Sequence, residues 1–274
     1  MKRFFTFLLI LIFSVILVHA GHSVKYDDVI RANRLQEIIK VDGILSEHVW
    51  SNGDGISNFT QREPVEGGIP TQKTLVHVAY DDDAIYIGAR MWDTSPDSIV
   101  ARLGRKDEWP ESDRFGVFLD PYHDKRSGYY FVLNAAGTLA DGVLMNDEWD
   151  DDSWDGVWEG RVHHDEHGWT AELKIPYSQL RFKNRDECIW GINFRRDISR
   201  NQERSYLVFT PMDGNGFVSR FPSLVGIKIL PLRDIWSYSP ILVLKVNFFR
   251  VIRMIRSTTV PGFFPESEEM SNLA

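Results

Sequence analysis

The sequence predicts an all-β protein, a jelly-roll-like antiparallel β-sandwich with short helical turns at its ends, and three observations carry that expectation. From Leu75 onward, short runs of alternating apolar and polar residues are separated by Asp, Gly, Asn and Pro, a period of two that belongs to strands. No helical period lasts long enough to supply the crossovers of a parallel sheet, and no solenoid-length repeat appears. Hydrophobic residues make up 43% and charged residues 26% of the 274, an ordinary globular balance, with nine Trp and seventeen Phe tilting it towards the aromatics that strands favour.

Residues 1–20 read as a secretory signal peptide. Lys2 and Arg3 open it, an apolar run from Phe4 to Val18 follows, and Val18-His19-Ala20 forms a small-residue cleavage site. The run has 15 residues, short of the roughly 20 that a bilayer-spanning helix needs. Export to the periplasm, outer membrane or cell surface of a Gram-negative bacterium is the expectation. A lead-in covers residues 21–37 and the sandwich residues 38–230.

Within the sandwich, Leu75–Tyr80 and Ile85–Trp92 flank Asp81-Asp82-Asp83 as a hairpin. Further strands are expected at Arg114–Leu119, Tyr129–Asn134, Val157–His163, Trp169–Ile175, Trp190–Ile198 and Ser205–Phe209. Helical turns at Glu47-His48-Val49-Trp50 and Pro176-Tyr177-Ser178-Gln179-Leu180 have Ser46 and Pro176 as start signals and read as plugs for the sheet ends. The histidines of HHDEHGW (His163, His164 and His167) read as a polar hairpin connection ahead of Trp169. Residues 231–274 lose the pattern. Their apolar stretch is broken by Lys245, Asn247, Arg250, Arg253 and Arg256, and the segment reads as a truncated or frameshifted remnant.

Charge and cysteine content narrow the chemistry. The formal charge is −8, and loss of Lys2 and Arg3 with the signal takes it to −10, which repels phosphate backbones and argues against nucleic acid as a partner. Cys188 is the only cysteine, so an internal disulfide and any zinc site built on two cysteines are excluded. There is no Gly-x-Ser-x-Gly elbow, no His-Glu-x-x-His and no phosphate-binding Gly-x-x-x-x-Gly-Lys loop. Acid pairs such as Glu108 with Asp113 or Asp147 with Glu159 are too common in this chain to signal hydrolysis.

The stretch DEWDDDSWDGVWEG, residues 147–160, concentrates the candidate chemistry. As an ion loop it places Asp151, Ser153, Asp155 and Gly156 at EF-hand positions, but Val162 stands where a bidentate carboxylate is required. Other calcium geometries stay open, with Asp150, Asp151 and Asp152 as candidate ligands and Asp81-Asp82-Asp83 as a second acid group; solvated turn acids are the alternative. As a sugar site, indole faces stack on the C–H faces of a pyranose while carboxylates and guanidiniums take its hydroxyls. Trp149 and Trp154 sit among turn formers as candidate platforms, and Trp109 is a candidate opposite wall; core packing is the alternative for each. Alternation places Trp158 inward and Glu159 outward. Arg90, Asp93 and Asp113 fall at strand ends as candidate ligand readers, with an ion pair between Arg90 and an acid as the alternative.

The order of five motifs carries a resemblance. IKVDGILSEHVW from Ile39 to Trp50, VAYDDDAIYIGARMWD, DRFGVFLDPYHD, WDGVWEGRV and GWTAELKIPYSQLRF together resemble the carbohydrate-binding module family 9-like domain. More narrowly, the chain is similar to exported Bacteroidetes-type proteins in which that domain precedes an outer-membrane β-barrel, over roughly Ile38 to Ile229. Pro231-Leu232-Arg233 opens the barrel region as expected, and the barrel pattern then fails to follow. The resemblance implies a β-sandwich that grips sugar between aromatic side chains, with calcium as a structural ion in founding members. It makes an oligo- or polysaccharide the expected partner and a non-catalytic role in carbohydrate catabolism, beside glycoside hydrolases, the expected function. A periplasmic plug or interaction domain of an outer-membrane barrel and a glycoside hydrolase fragment are the competing readings.

Overall fold

The computed structural model describes residues 29–53, 55–183 and 187–229. The signal-peptide and tail expectations lie outside these residues. Within them the protein is nearly all β, with 3-10 turns as its helical elements.

Fourteen strands build two sheets that face each other. In chain order they are β1 (Val29–Arg31), β2 (Asn33–Arg34), β3 (Thr60–Glu63), β4 (Thr74–Tyr80), β5 (Ala84–Trp92), β6 (Arg114–Asp120) and β7 (Gly128–Asn134). There follow β8 (Leu139–Met145), β9 (Trp149–Asp151), β10 (Glu159–Asp165), β11 (Gly168–Pro176), β12 (Cys188–Ile198), β13 (Glu203–Tyr206) and β14 (Ser223–Ile227). The smaller sheet runs β10-β11-β5-β4-β2. The larger has nine strands: β12 pairs with β6 along one edge, and its other edge is shared by β14 near Cys188 and β13 near Arg195. Beyond β6 the sheet continues through β7 and β8 to β9; beyond β13 lies β3.

Alternation decides what each face buries. Ile85, Ile87, Ala89 and Met91 of β5 are sealed between the sheets, as are Phe115, Val117 and Leu119 of β6 and Ile192 and Phe194 of β12. Phe115 and Phe194 stack at 6.0 Å across that ladder. Trp158 is buried there as well, its indole N–H donating to Asp141 at 2.7 Å, while Glu159 is exposed. Asp141 also accepts the Gly156 N–H at 2.8 Å and lies 2.9 Å from the Lys106 ammonium, so one buried carboxylate pins the end of the 147–160 stretch to β8. The HHDEHGW segment closes the β10–β11 hairpin, with His164 paired to Trp169 in register and its Nε2–H donating to Ala135 O, 2.6 Å away.

Three expectations need correction. The sandwich begins before Ile38: β1 pairs in parallel with β14 and β2 in parallel with β4, so both sheets are mixed rather than purely antiparallel. These strands were too short to show a period. The turn at His48–Trp50 is present, but Trp50 does not plug a sheet end. It lies on the outer face of the five-stranded sheet with Ala79, Ala84 and Tyr86, and an added Cβ at Gly88 would sit 2.6 Å from its ring. Gly88 thus makes room for the indole.

Candidate binding face

The outer face of the nine-stranded sheet is only partly covered. Register places Tyr206, Arg195, Gly116 and Val132 in one row across β13, β12, β6 and β7, and Asn193, Phe118, Tyr130 and Gly142 in the next across β12, β6, β7 and β8. A 3-10 turn at Val218–Arg220, with Phe217 and Phe221 beside it, caps part of this apolar floor. Asp147 holds that cap: its carboxylate accepts the N–H groups of Phe217 and Ser219 and the Ser219 hydroxyl, and these bonds lower its pKa against the opposing effect of burial. Glu148 accepts the Gly216 N–H at 2.5 Å.

Between the cap and the loop that carries Trp109 lies a cavity of about 390 Å³, within the size range of small-ligand sites. Phe118, Tyr130, Leu144 and Phe217 supply its apolar surface, and Trp109 stands at its mouth, 43% exposed, with its ring centroid 6.4 Å from that of Tyr130. Arg62 and Arg195 line the β3–β12 side; Glu148 and Asp150 line the β9 side.

Two polar groups that line the cavity lack partners among the described residues. The Tyr130 hydroxyl is buried without a hydrogen bond, and so is Arg195 Nε, although Asp197 Oδ1 is 3.3 Å away in poor alignment. Burial first, then the carboxylates of Asp150 and Asp152, push the Tyr130 phenol well above its ordinary pKa, so it stays a donor. Burial works most strongly against the Arg195 charge, but the Asp197 carboxylate, Tyr206 and Asp150 together outweigh it and leave the guanidinium above its usual value. Native proteins rarely strand buried donors, and a ligand is one way to satisfy them.

The residues named from sequence do not converge on this face. Trp109 lines the cavity. Trp154 is half-buried, set edge-on against Tyr129 and Phe131, and Phe131 also contacts Trp158 in the interior. Trp149 is 71% exposed but alternates with Asp150 along β9, and it is Asp150 that faces the cavity. Arg90 donates to both oxygens of Asp165, at 2.5 and 2.7 Å, which is the ion-pair alternative weighed for it. Asp93 is buried and bonded by both terminal nitrogens of Arg200, and Asp113 is buried with Oδ1 accepting from Ser199 N–H. None of these three lines the cavity.

Nor do the acids form an ion cage. Strand alternation sends Asp150 and Asp151 to opposite faces, Asp151 accepts the Ser153 N–H at 2.9 Å, and Asp81 is occupied by the N–H groups of Asp83 and Ala84 and the Tyr86 hydroxyl. Among the described residues, no three His, Cys, Asp or Glu side chains gather to hold a metal. The calcium expectation therefore does not fit Asp150, Asp151 and Asp152 as they are placed.

Sequence reasoning missed Tyr130, Phe118, Arg195 and Arg62. A signal existed: GYYFVLN is apolar at both parities, and RFGVFLD carries Phe118 on its otherwise polar one, so both faces of β7 and part of the outer face of β6 must be covered by something.

No protein-family model matches this sequence, and neither does any curated protein. Solved structures do. A carbohydrate binding module family 9 from Caldicellulosiruptor kristjanssonii, in complex with cellotriose, aligns with a TM-score of 0.52 at 16% identity, covering 77% of this chain and 100% of that one. A candidate carbohydrate-binding protein from Bacteroides uniformis aligns with a TM-score of 0.53 at 15% identity, covering 72% of this chain and 98% of that one. The fold is that of a family 9 carbohydrate-binding module. At these identities the likeness establishes the family 9 architecture and leaves the ligand to the side chains. Here, among the described residues, the sandwich leaves an apolar, polar-rimmed cavity open on the outer face of its larger sheet.

Proposed function

We propose that the outer face of the nine-stranded sheet binds a saccharide, with Trp109 as the stacking platform and the Tyr130 hydroxyl, Arg195, Glu148 and Asp150 as hydroxyl partners. The observation that carries this reading is the half-exposed Trp109 indole set over an aromatic floor that holds a stranded hydroxyl. A pyranose offers both an apolar C–H face and a ring of hydroxyls, which matches a site of this make-up. The cellotriose held by the Caldicellulosiruptor module of the same fold supports an oligosaccharide. In this reading the protein is an exported binding module, accessory to polysaccharide breakdown or uptake.

Titration calorimetry of the protein against a panel of neutral and acidic mono- and oligosaccharides tests it. Binding that is lost in Trp109→Ala while the variant stays folded supports the proposal. Silence across the panel up to millimolar sugar overturns it.

A further inference from the structure

The two rims of the cavity differ in charge, and the difference bears on which sugar fits. On the β3–β12 side the arginines outnumber the carboxylates. Arg114, Arg195 and Arg204 all approach Asp197, at 3.9, 3.3 and 3.3 Å, and Arg62 and Arg204 approach Glu63, at 3.8 and 3.6 Å. Four guanidiniums thus share two carboxylates. Alternation fixes them on the cavity face: Arg204 precedes Tyr206 by two residues, Arg114 precedes Phe118 by four, and Asp197 follows Arg195 by two. Burial first, and the like charges of Arg195 and Arg204 with it, lower the Arg114 pKa despite Asp197, as expected where positive charge is crowded. This excess stands out in a chain whose formal charge is −8.

The opposite rim is acidic. Glu148 and Asp150 line it, and β9 lies four strand spacings from β12, about 19 Å of backbone that side chains from both rims shorten. The floor between is Phe118 and Tyr130. A pyranose carrying a carboxylate at C5 has its vicinal O2 and O3 hydroxyls on the opposite edge of the ring. Carboxylates accept from such diols, and the planar guanidinium fork matches a carboxylate.

We propose, on the saccharide reading above, that the site prefers a uronic acid residue, its carboxylate towards Arg195 and Arg62 and its diol edge towards Glu148 and Asp150. The neutral sugar of equal shape would leave the arginine excess uncompensated.

The test compares methyl glucuronoside with methyl glucoside, and methyl galacturonoside with methyl galactoside, by calorimetry on the full chain at two salt concentrations. The expected result is at least tenfold tighter binding of one uronide than of its neutral partner at low salt, with a ratio that shrinks as salt screens the contact. Arg195→Gln should bring the ratio towards one; Arg62→Gln, at a more exposed position, should reduce it severalfold and serves if the buried change prevents folding. If neutral glycosides bind as tightly as uronides, the inference falls and the saccharide reading stands. If no member of either pair and no oligosaccharide binds, both fall.

Discussion

Two indoles lie over the outer faces of the two sheets, and they are treated in opposite ways. Trp50 covers the five-stranded sheet and is 5% exposed; Gly88 is cut away beneath it, and the Trp50 indole N–H donates to Glu172 at 2.9 Å. Glu172 is completed by the N–H groups of Asp42 and Gly43, at 2.9 and 2.8 Å. Trp109 covers the nine-stranded sheet and stays 43% exposed, over a floor where the Tyr130 hydroxyl has no partner. The same residue type is a closed structural staple on one face and a half-exposed ring, the proposed platform, on the other. What separates them is whether the polar groups below are already satisfied.

Removing the staple should have the largest effect. Glu172→Ala strands the Trp50 N–H and two backbone donors, and should destabilise the fold by about 3 kcal/mol in denaturant melts while sugar affinity of the folded fraction is unchanged. If binding collapses as well, the two faces are not independent.

Trp109→Ala should show the reverse. Its loss from a half-exposed position should cost under about 1 kcal/mol of stability, but about 2 kcal/mol of binding, a roughly thirtyfold weaker affinity by calorimetry. A large stability loss with affinity intact would make Trp109 a second staple.

Tyr130→Phe sharpens the contrast further. A hydroxyl with no bond in the free protein contributes little to folding, so the melt should stay level or rise slightly, whereas affinity should fall by about 1 kcal/mol if a ligand accepts that proton. Unchanged affinity would remove the hydroxyl from the site.

The smallest effect concerns Arg90 and Asp165, which sit on the five-stranded sheet away from the cavity. The Arg90 hydrogen bonds lower the Asp165 pKa from 3.8 to about 2. The folded value lies below the unfolded one, so the pair stabilises above about pH 4, and that contribution is lost as pH falls towards 2. Both side chains are partly open to solvent, so the amount should stay under about 1 kcal/mol. Asp165→Asn should flatten this part of an acid-stability curve without changing sugar binding at neutral pH.

The long strands were legible because alternation is a local property. β4, β5, β6, β7, β11 and β12 lie where their periods indicate, and the inward turn of Trp158 followed from parity alone. β1, β2 and β9 were not legible, since two or three residues hold no period; β1 and β2 moreover take their pairing from strands far away in sequence, whereas β9 pairs with the adjacent β8. Of the residues singled out in the sequence, the cavity gathers Trp109 and, in place of the ion-ligand role expected of it, Asp150. Trp149 and Trp154 share the turn-rich setting of Trp109, yet one faces away from the cavity and the other packs on Phe131. Local composition does not encode which face of a two-sided element meets solvent.

The sequence by itself determined the all-β class, the main strands and their inward faces, because pleat and periodicity act between near neighbours. Only the tertiary structure decided that Tyr206, Arg195, Phe118, Tyr130 and Asp150, from five separate strands, share one face with Trp109. Register between distant strands sets that gathering, and it depends on the whole core being packed at once.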